Sequence, residues 1–195
     1  VSDCVRGASG QDLDFASVVN VKYHPPYVSA IDLIGEFNDA TYALSLNLNI
    51  EQQSFAYASA PNDKFVIVQY RLRNDGLTTL NNLYAGLFAD WDIQNYALNE
   101  SGIDAARKMG FVRSLESDST YAAIKLLTNG TFVNYSLDNV SGGAGGVDIS
   151  DVYTTAEKYT TLSTNKASAG SPSGQDVAHV VSSGGFALAA GDSVT

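Results

Sequence analysis

Apolar and polar residues alternate along several stretches of the chain, with the period of two that is typical of half-buried antiparallel strands. The alternation is clearest over 42–50, 65–72 and 81–92, which we predict to be strands. Shorter stretches of the same pattern predict strands at 18–23, 28–37, 121–127, 131–137, 176–181 and 186–190. The side chains expected to be buried on the three clearest strands are Leu44, Leu46, Leu48, Val66, Val68, Leu83 and Leu87.

The segment between the second and third of these strands has the composition of a turn. Asn74, Asp75 and Gly76 tolerate the positive backbone φ angles that tight connections require. The sequence therefore predicts that 65–72 and 81–92 pair with each other as an antiparallel hairpin.

One stretch, 149–162, has helical rather than strand spacing. Ser150 or Asp151 is in position to cap its start. The apolar residues that recur at this spacing are Ile149, Val152, Tyr153, Ala156, Tyr159 and Leu162. Many strands separated by turns, with one short helix, favour an all-β fold, and we predict an antiparallel β-sandwich.

Length and charge narrow the class of protein. A chain of 195 residues fits a single domain over 1–195, which we expect to be a fragment of a longer protein. Its 21 acidic and 11 basic residues give a net charge of −10, which disfavours nucleic acid and anionic membranes as partners. No apolar run is long enough to span a membrane, and Cys4 is the only cysteine, so no disulfide forms within the chain.

Two aspartates flank the only tryptophan, where the 81–92 strand ends. Alternation places Asp90 and Asp92 on one face and Trp91 on the other. Two carboxylates roughly 7 Å apart repel each other unless amides, water or a cation lie between them. The simplest interpretation is a polar strand end whose carboxylates bond to turn amides.

A bound calcium ion is the alternative that the spacing permits, because calcium takes six to eight oxygen ligands. Asp104 supplies a third carboxylate for such a site with Asp90 and Asp92. Further oxygen donors nearby are Glu100 and Asn95. A ligand-binding or catalytic role for the pair is the remaining alternative.

Catalytic motifs are weak in this sequence. Paired carboxylates also occur in glycosidases, with Trp91 or Tyr84 available to stack on a sugar, but Trp91 is expected to face away from the pair. His24 precedes a proline-rich turn, and His179 alternates with valines as a packed core residue would. Ser193 lies in a predicted turn. We therefore predict no catalytic residue and expect that the fragment is not an enzyme.

The stretch from 62 to 93 combines an alternating strand, a turn rich in Asn and Gly, and a strand that ends in Asp, Trp and Asp. It resembles the accessory β-domains that follow the catalytic domain in some secreted bacterial subtilisin-like serine peptidases. The segments 157–163 and 184–195 are consistent with the later part of such a region.

The resemblance implies a non-catalytic module of a secreted or cell-surface bacterial protein, whose partner is a neighbouring catalytic domain of the same chain. The Asp, His and Ser motifs of the subtilisin catalytic domain are absent from this sequence, so no catalytic role is carried over. A larger super-sandwich of the kind found beside carbohydrate-active domains is the competing resemblance. It would make the chain a carbohydrate-binding module or a glycosidase-associated domain, with a polysaccharide as partner.

Overall fold

Strands dominate the computed structural model, which describes residues 1–7, 10–25, 27–116 and 120–195. The strands are β1 (Arg6–Gly7), β2 (Gly10–Gln11), β3 (Ala16–Tyr23), β4 (Ile31–Asn38), β5 (Leu48–Ala56), β6 (Val66–Asn74), β7 (Leu80–Asp90), β8 (Asn99–Asp104), β9 (Met109–Ser114), β10 (Tyr121–Lys125), β11 (Phe132–Asp138), β12 (Val177–Leu188) and β13 (Ser193–Val194). The described residues contain one α-helix, α1 (Thr155–Ser163), and short 3-10 turns at Asn62–Lys64, Tyr96–Leu98, Ala105–Arg107 and Gly143–Gly145.

The chain divides into two compact units. The two-sheet unit comprises residue 1, residues 5–12 and residues 82–186. The five-stranded unit comprises residues 2–4, 13–81 and 187–195.

The five-stranded unit is one antiparallel sheet in the order β13-β6-β5-β4-β3. At one end of this sheet Leu48, Ile50 and Leu72 are buried, and Phe15 packs edge-on against Phe37 with 5.3 Å between the ring centroids. β3 forms the far edge, and its pairing with β4 shifts register twice. Irregular pairing of this kind is common in edge strands, because it prevents the edge from pairing with strands of other chains.

The two-sheet unit is a sandwich of two three-stranded sheets, ordered β10-β9-β8 and β11-β12-β7. The sheets meet through β8, β9 and β11, where the Ser101 hydroxyl donates to the Ser136 hydroxyl at 2.9 Å. One buried apolar cluster of this unit contains Tyr135, Leu137, Val147, Ile149, Tyr153, Ala178 and Val180. Another contains Ile93, Val112, Ala169 and Val177.

The helix begins later than the sequence predicts. Thr154 rather than Ser150 or Asp151 caps it, in a capping box with Glu157 that satisfies two backbone N–H groups. Ile149, Val152 and Tyr153 therefore precede the helix, although Ile149 and Tyr153 are buried. The Tyr153 hydroxyl lies 2.6 Å from the hydroxyl of Thr161, so this segment and the helix are held together.

The predicted all-β fold, an antiparallel sandwich with one short helix, is confirmed, but two strand predictions are wrong. Residues 42–44 form a turn and 45–47 are irregular rather than a strand, because Asp39 accepts hydrogen bonds from the backbone N–H groups of Leu46 and Leu48. The predicted 65–72 and 81–92 hairpin does not form, since β6 pairs with β5 and β13, and β7 lies beside β12. The strands β8 and β9 were not predicted, nor were the two-residue strands β1, β2 and β13, the last of which contains Ser193 where a turn was predicted. The predicted strands 176–181 and 186–190 belong to the single strand β12.

Burial agrees with the prediction at Leu48 and Leu83 only. The remaining side chains that were predicted to be buried are exposed or only partly buried: Leu44, Leu46, Val66, Val68 and Leu87. No helix in the described ranges has the length and apolar character that crossing a membrane requires.

Candidate functional site

A hydrogen bond between Trp91 and His179 fixes the chain just after β7. The indole Nε1 of Trp91 donates to Nε2 of His179 at 3.0 Å, and His179 is fully buried on β12. Because an indole only donates, Nε2 must be unprotonated and the ring proton must lie on Nδ1. Burial lowers the pKa of His179 to about 4, so the ring is neutral at neutral pH.

Three carboxylates converge beside this hydrogen bond. Asp90 ends β7, Asp92 follows Trp91, and Asp176 precedes β12. One oxygen from each of the three lies within 4.8 Å of the others. The two aspartates that alternation places on one face are therefore neighbours, and Asp176 is the third carboxylate beside them.

The cluster is electrostatically unfavourable as it stands. Partial burial is the largest cause that raises the pKa of Asp90 to about 6, and the charges of Asp176 and Asp92 add to it. Burial and Asp92 also raise the pKa of Asp176. The side-chain amide of Asn139 donates to Asp90 at 3.3 Å and to Asp176 at 3.2 Å, which relieves part of the repulsion.

A neighbouring aspartate, Asp138, shows a carboxylate with full compensation. Lys166 Nζ donates to it at 2.8 Å, the backbone N–H of Gly170 at 2.8 Å, and the side-chain amide of Gln175 at 2.9 Å. Among the described residues, Asp90 and Asp176 share a single donor group, the side-chain amide of Asn139. Asp138, by contrast, has the cationic Lys166 and two further hydrogen-bond donors. A cation or a proton is therefore the group that best balances the three converging carboxylates.

The structure places the other predicted oxygen donors in different contacts. The guanidinium and backbone N–H of Arg107 bind Asp104, and these hydrogen bonds hold the pKa of Asp104 below its usual value. Glu100 pairs with Arg113. Asn95 caps the 3-10 turn that follows it, by accepting from the backbone N–H of Ala97.

The residues considered for nucleophilic chemistry are also held in structural contacts. The hydroxyl of Ser193 accepts from Arg71 Nε at 3.2 Å, in the short strand β13. His24 is exposed, and its backbone N–H donates to the carbonyl of Asp32. His179 has its Nε2 occupied by Trp91.

Comparisons with known proteins give no further assignment. No family model matches the chain, and searches of curated proteins and of solved structures return no match. Any function must therefore be argued from the residues themselves.

We expect Asp90→Asn to raise the melting temperature at pH 7.5 in the presence of a chelator. A carboxyl whose folded pKa is about 6, above the usual 3.8, favours the folded state when it is protonated. That stability is complete below about pH 4 and is lost as the pH rises through 6. The neutral amide removes this loss of stability. The gain should be below about 1 kcal/mol, because Asp90 is only partly buried and solvent at its accessible side screens the repulsion. Thermal melts from pH 4 to pH 8 measure the effect, which should vanish at the acid end.

Asp104→Asn is the matched control, because it removes a carboxylate that is already paired with Arg107. It should lower the melting temperature slightly, or leave it unchanged, at pH 7.5. Repeating both melts in millimolar calcium separates the two interpretations of the cluster. A bound ion would stabilise the wild type and reverse the sign of the Asp90→Asn effect. Loss of stability in Asp90→Asn without calcium would contradict the repulsion between the carboxylates.

Proposed function

We propose that the chain is a non-catalytic accessory module of a secreted or cell-surface bacterial protein. Its role is to support or target a neighbouring catalytic domain of the same chain, of the subtilisin-like peptidase class. The observation that carries the proposal is the state of His179. His179 is completely buried, its lone-pair nitrogen Nε2 already accepts from Trp91, and its low pKa makes it a weak base, so it is not available to a substrate as a general base.

The other polar groups support the same conclusion. An activated serine needs a base within hydrogen-bonding reach, whereas the partner of Ser193 is the guanidinium of Arg71. A glycosidase needs one carboxylic acid and one carboxylate on either side of a sugar bond. One oxygen from each of Asp90, Asp92 and Asp176 lies within 4.8 Å of the others, so the three carboxylates converge on one point, whereas an inverting pair stands about 6.5 to 9.5 Å apart and a retaining pair about 5 to 5.5 Å apart.

We expect the purified chain to hydrolyse neither denatured protein, nor p-nitrophenyl esters, nor p-nitrophenyl glycosides above the buffer rate. The assay is run beside His179→Ala and Ser193→Ala, because a contaminating hydrolase would be unaffected by these changes. Turnover that either substitution abolishes would contradict the proposal. The gene provides an independent measurement, since the proposal expects coding sequence next to the chain for a domain with the Asp, His and Ser motifs of a subtilisin-like peptidase.

A carbohydrate-binding function is the second candidate, and exposed aromatic residues favour it. Tyr23 ends β3, Tyr27 lies in the β3–β4 connection, and Phe65 precedes β6, so antiparallel order brings all three to one end of the five-stranded sheet. Their side chains are exposed, and aromatic rings can stack on sugar rings. Retention on an insoluble polysaccharide, lost in Tyr27→Ala, would favour this function over the first.

A further inference from the structure

One face of the five-stranded sheet is covered at one end only. Strand register places residues in rows across the sheet, and side chains directly opposite each other share a face. In the covered rows, Ile50 lies opposite Leu72, and both are buried. Two rows further along, the register pairs Tyr23 with Leu33, Leu33 with Ser54, and Ser54 with Val68. Val68 in this row is exposed.

We call the uncovered part of this face the open half-face. It consists of Val21, Tyr23, Ile31, Leu33, Ser54, Ala56, Val66 and Val68. Val21 belongs to it because a Cβ on Gly35, directed to this face, would lie 3.2 Å from Val21 Cγ2. Five of these side chains are well exposed: Val21 at 66%, Tyr23 at 64%, Val66 at 58%, Ile31 at 46% and Val68 at 39%.

The open half-face carries no charged residue, and the opposite face of the same strands does. On that opposite face, Glu36 lies opposite Glu51, which lies opposite Arg71. An antiparallel sheet normally buries its apolar face and leaves its charged face in water. A contiguous exposed apolar patch of this kind marks an interaction surface.

We propose that the open half-face is a self-association surface, and that its occupant is the open half-face of a second copy of this chain. The chain has a net charge of −10, so two copies repel each other wherever charged surfaces meet. An uncharged patch allows close approach without bringing like charges into contact. The side chains are mainly aliphatic and β-branched, which suits sheet-on-sheet packing better than stacking on sugars or on bases.

The exposed area sets the size class of the contact. Side chains of this size each offer on the order of 100 to 200 Å² when fully exposed. The five most exposed members therefore contribute about 400 Å² per copy, or about 800 Å² for the pair, which lies in the range of weak and transient interfaces. The contact is therefore a two-fold symmetric dimer that forms only at high chain concentration.

The two-fold symmetry makes Val68→Lys the informative substitution. Val68 is exposed, so lysine is compatible with the fold, and in a symmetric dimer the new charge would be introduced twice into one uncharged interface. Gln69→Lys is the matched control. Gln69 is the next residue of β6, is also exposed, and points to the opposite face.

Sedimentation velocity from 5 µM to about 1 mM chain measures the association, at 0.15 M and at 1 M sodium chloride. Wild type and Gln69→Lys should show the same monomer–dimer equilibrium, and Val68→Lys should weaken it at least about tenfold. High salt should strengthen the wild-type dimer, because it screens the repulsion between the two acidic chains. Far-UV circular dichroism of each variant confirms that the sheet is retained.

Three results would overturn the proposal. The first is a wild-type chain that stays monomeric up to 1 mM. The second is equal weakening by Val68→Lys and Gln69→Lys, which would attribute the effect to added charge rather than to the face. The third is growth of oligomers larger than dimers that Val68→Lys leaves intact, which would indicate edge-to-edge strand pairing. None of these measurements depends on whether the chain is an accessory module.

Discussion

Gly110→Ala is expected to lower the free energy of unfolding of the two-sheet unit by more than about 3 kcal/mol. A Cβ built on Gly110 would lie 2.0 Å from Oδ1 of Asn134 and 2.8 Å from Nδ1 of His179. Both side chains are fully buried and anchored, Asn134 through Ser136 and His179 through Trp91. Neither can move away without breaking a buried hydrogen bond, so strain and lost hydrogen bonds add together.

Urea unfolding followed by tryptophan fluorescence measures the loss, because Trp91 belongs to the same unit as Gly110. Gly130→Ala is the matched control in that unit. Its Cβ would meet Oγ of Ser183 at 2.2 Å, but this hydroxyl is the end of a short side chain that can rotate away. The control should lose less than about 1 kcal/mol. Equal losses for the two variants would mean that the buried polar pair does yield.

Two buried polar atoms that lack a partner in the described part of the chain also lie beside Gly110. Nδ1 of His179 and Oδ1 of Asn134 have no hydrogen-bond partner among the described residues, and both face the α-carbon of Gly110. The Trp91 hydrogen bond makes Nδ1 a donor, and Oδ1 is an acceptor. The donor and the acceptor therefore both border the position that a Gly110 side chain would occupy, although they make no hydrogen bond with each other.

Period-two alternation predicts strands well where the buried side chains are apolar, and it fails where they are polar. β8 was missed because two of its buried side chains are Asn99 and Ser101. Asn99 is satisfied by hydrogen bonds with the backbone of Ile93, and Ser101 by the hydroxyl of Ser136. The buried side chains of β8 are therefore polar, so the strand has no apolar alternation. The partners that satisfy these polar groups lie in a turn or far away in the chain, and local sequence does not reveal them.

The acidic site was predictable only as far as local geometry determines it. Alternation along one strand correctly brings Asp90 and Asp92 to one face, because the two are only two residues apart. Asp176 joins them through the sheet order β11-β12-β7, a long-range arrangement that local patterns do not contain. The contact of Asp104 was visible in the sequence, since Arg107 follows it at the three-residue spacing that favours ion pairs in a helical turn.

Exposed valines and leucines mark the main failure of the burial predictions. A strand pattern identifies which side chains share a face, but it does not say whether anything covers that face. Val66 and Val68 alternate with Leu72 on the same face of β6, yet only Leu72 is buried. The alternation was therefore correct for β6, and the assumption that the whole face is covered was wrong.

Leu137→Ala is expected to cost the two-sheet unit about 3 to 4 kcal/mol of unfolding free energy. Leu137 lies on β11, is completely inaccessible to solvent, and belongs to the buried cluster that includes Tyr153 and Val180. Removing three side-chain carbons there loses their burial and leaves a cavity that rigid strands on both sides cannot fill. Urea unfolding monitored by the fluorescence of Trp91 provides the measurement.

Leu87→Ala is the matched control, because it removes the same atoms from β7 in the same unit. Leu87 was predicted from alternation to be as deeply buried as Leu83, but it is 39% exposed, so its loss should be below about 1 kcal/mol. Leu83 is buried as predicted, so the loss of unfolding free energy in Leu83→Ala should lie between the losses in Leu87→Ala and Leu137→Ala. A Leu87→Ala loss as large as that of Leu137→Ala would mean that something covers Leu87 in solution, and burial on β7 would then follow its sequence pattern after all.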